Sequence, residues 1–236
     1  MDWDLAIRRN REALLRILAA LFSLVALPEG EPAGGSHTLP RHLHAYALRI
    51  LRAAESAIRR LVVIAAREVA VTVRSGGEGL RSDLAALRKA IRNEPAGAPA
   101  AIRIPAFPLL DPLRKFSFDP PRRSSKFMPR ICVVGYSEPA PLPEKPVLSP
   151  DDPVDAASLC RRLLSSRRAL ANLPREARRL ARWQARRRLR PGPGRVAPLR
   201  FGGPPGSRKR PIHAVDDILK ECHALALDVL SPPDTS

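Results

Sequence analysis

The chain is short of aromatic residues, of cysteine, of long apolar runs and, over its C-terminal third, of acidic side chains. Aromatics make up only 4% of the 236 residues. A core without them is built from Leu, Ile, Val and Ala, which suits helix on helix better than a β-sandwich. The three cysteines, Cys132, Cys160 and Cys222, lie far apart with no C-x-x-C pair. Neither a disulfide framework nor a zinc knuckle is indicated, and a reducing compartment is expected. The apolar run "ILAALFSLVAL" at 17–27 spans about 16 Å as helix, roughly half a bilayer core, which argues against a membrane span. Arg8, Arg9, Arg11 and Arg16 precede it in the manner of a signal peptide, but Asp2, Asp4 and Glu12 are interspersed and no A-x-A site follows. The expectation is an uncleaved cytoplasmic protein, at most peripheral to the inner membrane.

The acidic shortage is sharpest between 161 and 210, where seventeen basic residues stand against the single Glu176. Half of the net charge of +18 falls in residues 151–236, with 18 basic and 9 acidic groups. Such a density attracts anionic polymers or anionic lipid. Arg outnumbers Lys by 35 to 6, and Ala and Pro are abundant. All three have GC-rich codons, which points to a bacterial-type composition and accounts for part of the arginine preference, though not for the charge.

What is present is helical periodicity. Trp3, Ile7, Leu14, Leu18, Leu21 and Val25 recur at helical steps, so a helix is expected over 2–27, ended by Pro28. Thr38 is positioned to cap a second helix with Pro40 in its first turn, carried by Leu43, Ala47, Ile50, Ala54, Ile58, Leu61 and Ala65 to about residue 73. Its tail "VAVTV" (69–73) is β-branched enough to be strand-like. Leu80, Leu84, Leu87 and Ile91 mark a third helix over 78–93. The expected fold is mostly α: an antiparallel helical hairpin or three-helix bundle over 1–94, a proline-rich connector over 95–150 with at most one or two short strands, and a basic helical region over 151–236.

Thirteen of the 26 prolines fall in the connector, and proline removes donors and blocks helix. Partial disorder is expected there. Phe107, Phe116, Phe118 and Phe127 are positioned either to pack back on the bundle or to bind a partner, and "RICVVGY" (130–136) reads as a strand that needs a partner such as 69–73. Helices resume after Asp151 or Asp152 and Pro153, with Val154, Ala157, Cys160, Leu164 and Leu170 as an apolar side. Pro174 opens an arginine helix over 174–190, "PGPG" (191–194) closes it, and 191–212 reads as a flexible basic tether. A last helix over 213–230 carries Val215, Ile218, Cys222, Leu225 and Val229 on one face, with Asp216, Asp217, Glu221 and Asp228 elsewhere.

No catalytic motif stands out. His42 and His44, two apart, point to different sides of a helix and cannot share a metal. Cys222 and His223 are adjacent, with His213 and Cys160 the only conceivable companions for a zinc site or nucleophile. Adjacent helix residues do not face one another, and a cysteine on an apolar stripe is ordinarily a small hydrophobe. "SGGEGLRS" and "FGGPPGSRKR" lack the spacing of a phosphate loop. No cofactor, metal site or enzyme activity is therefore expected.

The segment "LPREARRLARWQARRRLR" (173–190) carries the functional expectation. Arg175, Arg179, Arg182 and Arg186 form one row of guanidinium groups, which Arg178, Arg187, Arg188 and Arg190 widen. Trp183 lies toward the apolar side, placed either to dock in the core or to stack on a base. The favoured partner is RNA or DNA, bound without sequence specificity through phosphates. Rival readings are a peripheral membrane or scaffold protein with residues 14–27 as an apolar wedge, an acidic protein partner, and a merely solvated face neutralised by the final acidic helix.

Overall fold

The computed structural model describes residues 2–25, 37–72, 104–113, 149–189 and 197–230. The third helix expected over 78–93, the strand over 130–136, Cys132, Phe116, Phe118, Phe127 and Arg190 lie outside the described residues. Among those described, five helices and a two-stranded sheet run in the order α1 (Trp3–Leu24), β1 (Thr38–Pro40), α2 (Arg41–Ala65), β2 (Pro153–Asp155), α3 (Ala157–Ala171), α4 (Leu173–Leu189) and α5 (Ala214–Leu230).

Helix α1 begins at Asp2, whose carboxylate accepts the Leu5 N–H at 3.0 Å and so satisfies one of the free amides of the first turn. Its apolar stripe, Leu14, Leu18, Leu21 and Phe22, is buried. Helix α2 is buried almost all round from Ala53 to Ile64, and it packs against α1, α3, α4 and α5. It is the central helix, and the core around it draws on residues from Leu14 to Ala226. Packing thus crosses the divisions at 94 and 150 that composition suggests.

The sheet corrects two expected helix starts. Thr38 does not cap α2; it pairs with Asp155 in an antiparallel ladder that continues through Leu39 with Val154 and Pro40 with Pro153. The first amides of α2 are satisfied instead from across the chain: Arg41 N–H donates to the Asp152 carbonyl and His42 N–H to the Pro150 carbonyl, each at 3.0 Å. A backbone cap of this kind removes the need for a side-chain one. On the other strand Pro153–Asp155 is extended, so α3 starts only at Ala157, whose N–H donates to the Asp155 carboxylate at 2.8 Å. The second helix also stops at Ala65, short of 73, and 69–72 form neither helix nor strand.

Between α3 and α4 the chain breaks at Asn172, which leaves the helical region at φ −118° and ψ 45°. Pro174, with no N–H and a ring that clashes with a preceding turn, forbids one continuous helix and pre-shapes the start of the next. Arg11 of α1 covers the exposed carbonyls at this break, donating from Nε to Leu170 O at 2.8 Å. The tether expected over 191–212 is anchored along its described part: Leu199 is buried in the core, and Gly206, at φ 84°, lies against the α2 backbone at Ala53.

Candidate functional site

Helix α4 sorts its arginines by what lies beneath them. Leu173, Ala177, Leu180 and Ala181 face the core, and Glu176 is buried beside them. A buried carboxylate demands a cation. Arg179 supplies it, with Nη1 2.6 Å from Glu176 Oε2, while its Nη2 donates to the Phe107 carbonyl. Arg179 therefore leaves the expected row and becomes a strut between α4 and the proline-rich segment. Arg187 is half-buried, and Arg190 lies outside the described residues.

Arg175, Arg178, Arg182, Arg186 and Arg188 are exposed. None of the five is paired with a carboxylate among the described residues. Spacings of three, four and four place Arg175, Arg178, Arg182 and Arg186 on one stripe about 16 Å long. Arg188 falls on another side, where it lines a cavity of about 340 Å³ with Arg67, Val69 and Gln184. The acidic residues of α5 give these arginines little answer: Glu221 turns to Arg9 and Asn10 of α1, and Asp216 accepts the Ile212 and His213 amides at its own helix start.

Beside the stripe runs an open groove of about 560 Å³ lined by Pro108, Leu109, Leu110, Arg179, Arg182, Trp183 and Arg186. Trp183 is half-buried and packed against the core, so docking and groove lining are both true of it. The facing wall comes from the connector, whose described part is tightly held. Phe107, Leu109 and Asp111 are buried, Arg59 Nε donates to the Pro108 carbonyl at 3.0 Å, and the Asp111 N–H donates to the Pro198 carbonyl at 3.0 Å. Phe107 stands out in the sequence as a candidate anchor, and Asp111 does not. The available signal was one acid inside the apolar run "FPLLD", the pattern of a buried ion pair.

A buried ionic cluster is joined to this wall through the Arg59–Pro108 hydrogen bond and Asp111. Arg60 Nη2 meets Asp111 Oδ2 at 2.9 Å, its Nη1 donates to the Ser56 carbonyl and hydroxyl at 2.7 Å each, and its Nε donates to His223 Nδ1 at 3.3 Å. Arg59 lies 3.5 Å from both Glu55 and Asp111, and Arg162 grips Glu55 with two bonds of 2.8 and 2.9 Å. Burial lowers the Arg59 pKa from its ordinary value, although Glu55 and Asp111 act against that. Each of these arginines is held by a buried carboxylate, and the pairs offset the cost of burying the charges.

The remaining polar candidates also have structural settings. Burial pushes the Cys222 thiol up to about 12, and Glu221 adds to the shift. The Cys222 side chain is fully buried on the apolar face of α5. His42 Nδ1 lies 3.0 Å from the Pro150 carbonyl and 3.3 Å from Asp151. Among the described residues no three His, Cys, Asp or Glu side chains are grouped to hold a metal. No helix among them is long and apolar enough to cross a membrane. The chain matches no family model, no curated protein sequence and no solved structure.

Proposed function

We propose that this chain is a cytoplasmic, non-enzymatic protein that binds RNA or DNA without reading sequence, through the exposed arginine stripe of α4. The observation that carries the reading is the stripe itself: Arg175, Arg178, Arg182 and Arg186 are all exposed, and none of the four is ion-paired with a carboxylate among the described residues, Glu176 being taken by Arg179. Four guanidinium groups in a line on a rigid helix repel one another, and a polyanion relieves that repulsion while releasing its own counterions. Arg forks match phosphate oxygens in pairs, which strengthens each contact without selecting a base. The membrane-wedge alternative is less favoured because the apolar stripe of α1 faces the core, with Leu14, Leu18, Leu21 and Phe22 all buried.

The test is binding of labelled duplex by fluorescence anisotropy across a salt series. Four phosphate contacts give a slope of log K against log salt of about −3.6 on duplex and about −2.8 on single strands. Changing the four arginines to Gln keeps helix propensity and is expected to abolish most of that slope. Absence of salt-sensitive binding to either nucleic acid would remove the proposal. Flotation with anionic liposomes under the same conditions would replace it with the membrane reading.

A further inference from the structure

We infer that the groove between Trp183 and Pro108–Leu110 takes one unstacked base of a single strand, with the flanking phosphates on Arg182 and Arg186. The inference rests on the nucleic-acid reading above and adds the strand state that the site selects. Its first support is composition. The groove has an indole and Leu109 and Leu110 for a flat π face, and two exposed guanidinium groups at its edge for the charges that accompany that face. Bases stack on aromatic side chains without regard to identity, since every base has a π face. A duplex keeps its bases inside the helix and cannot fill the groove without paying to extrude one.

The second support is rigidity. Arg59 holds the Pro108 carbonyl, Arg179 holds the Phe107 carbonyl, and the buried Asp111 anchors the end of the same wall. A wall fixed at residues 107, 108 and 111 is formed before the ligand arrives, so little ordering entropy opposes binding. The third support is extent. An acidic peptide with one aromatic side chain also complements the groove, but the positive stripe continues from it through Arg178 to Arg175, about 16 Å in all. A ligand with regularly repeated charge matches that length better than a single acidic side chain does.

The experiment uses the full chain with Trp3→Phe, which leaves Trp183 as the only tryptophan. Oligo(dT), a duplex of equal length, heparin and an acidic peptide containing phenylalanine are titrated while indole emission is followed. Oligo(dT) is expected to quench Trp183, and heparin to bind without quenching. Trp183→Leu should weaken oligo(dT) binding about tenfold, with duplex binding changed by less than about twofold, and Trp183→Phe should recover most of the loss. Should Trp183→Leu unfold the chain, Leu110→Gln makes the same test, because it removes apolar surface from the groove without adding a charge beside Arg182 and Arg186. Equal affinity for single strand, duplex and heparin without quenching would overturn the groove inference and leave the proposed function standing. Quenching by the acidic peptide but not by oligo(dT) would make this a peptide site and overturn the inference. Salt-sensitive binding to no nucleic acid would remove both readings.

Discussion

Arg60 and Asp111 meet at 2.9 Å with both side chains fully excluded from solvent, and this contact fastens the proline-rich segment to the central helix. Asp111 serves Arg59 as well and accepts the Arg200 N–H at 3.4 Å, so one carboxylate joins α2, the connector and the 197–200 turn. Asp111→Ala leaves two buried guanidinium groups without that partner and is expected to cost about 3–5 kcal/mol. The double change Asp111→Leu with Arg60→Met should lie closer to the parent, because Arg60 is no longer a stranded charge and Arg59, which also loses Asp111, keeps Glu55 at 3.5 Å. Urea midpoints of the two variants make the comparison, and equal losses would mean that the ion pair is not what holds the segment.

Arg179 and Arg182 are three positions apart with opposite roles. Arg179→Gln is expected to lower stability by about 1–2 kcal/mol, because Glu176 and the Phe107 carbonyl lose their donor, and to leave the salt slope of nucleic-acid binding nearly unchanged. Arg182→Gln should do the reverse, with a slope smaller by about one and an unchanged unfolding midpoint. Parallel effects in the two variants would refute the division of the arginines into struts and contacts.

Leu18 is buried at the centre of the α1 stripe, whereas Leu5 on the same helix is 58% exposed. Leu18→Asp should destabilise the fold by about 3 kcal/mol through burial of an unpaired charge. Leu5→Asp should stay within about 0.5 kcal/mol. Thermal unfolding followed by circular dichroism separates the two, and a mild Leu18→Asp would mean that α1 does not dock on α2.

Gly206 has φ 84°, and a Cβ there would lie 2.9 Å from the Ala53 amide nitrogen. Both the backbone conformation and the close approach require glycine, so Gly206→Ala is expected to cost about 1–3 kcal/mol. At Gly203 a Cβ would meet only the Ser207 hydroxyl at 3.3 Å, and Gly203→Ala should be nearly neutral. Limited proteolysis gives a second readout: Gly206→Ala should expose 197–212 to cleavage.

Two groups predict how stability changes with pH. Burial and the Arg60 charge hold the His223 pKa below its ordinary 6.5, so the folded state binds that proton less well than the unfolded chain. The contribution is intact above pH 6.5 and is lost as pH falls below it. Cys222 is raised from 9.0 to about 12. Its contribution is complete below pH 9 and is lost as pH rises toward about 12, where the unfolded thiolate is favoured. Denaturation midpoints should fall on both sides, and His223→Gln should flatten only the acid limb. The folded protein should also resist thiol alkylation at Cys222 until denaturant is added.

The sequence by itself determined that α1 to α5 are helices, though not where α2 and α3 begin or where α2 ends, because the information for a helix interior is local. Asp2 accepts an amide three residues away, Pro174 breaks the chain on the spot, and the stripes of α1 and α5 repeat every three or four positions, so each can be read without knowing where the rest of the chain lies. The mostly helical class and the exposed stripe through Arg175, Arg182 and Arg186 follow from the same short-range order. Tertiary structure alone decided what each polar residue is for. Thr38, a good cap by its own chemistry, goes to a strand because residues more than a hundred positions later pair with it and cap α2 in its place. Arg59, Arg60 and Arg179 are as basic as Arg182, yet each is held by a partner or a carbonyl distant in sequence. Spacing cannot reveal such pairs, since attraction between an arginine and a carboxylate depends on their separation and burial in the folded chain and not on their separation along it.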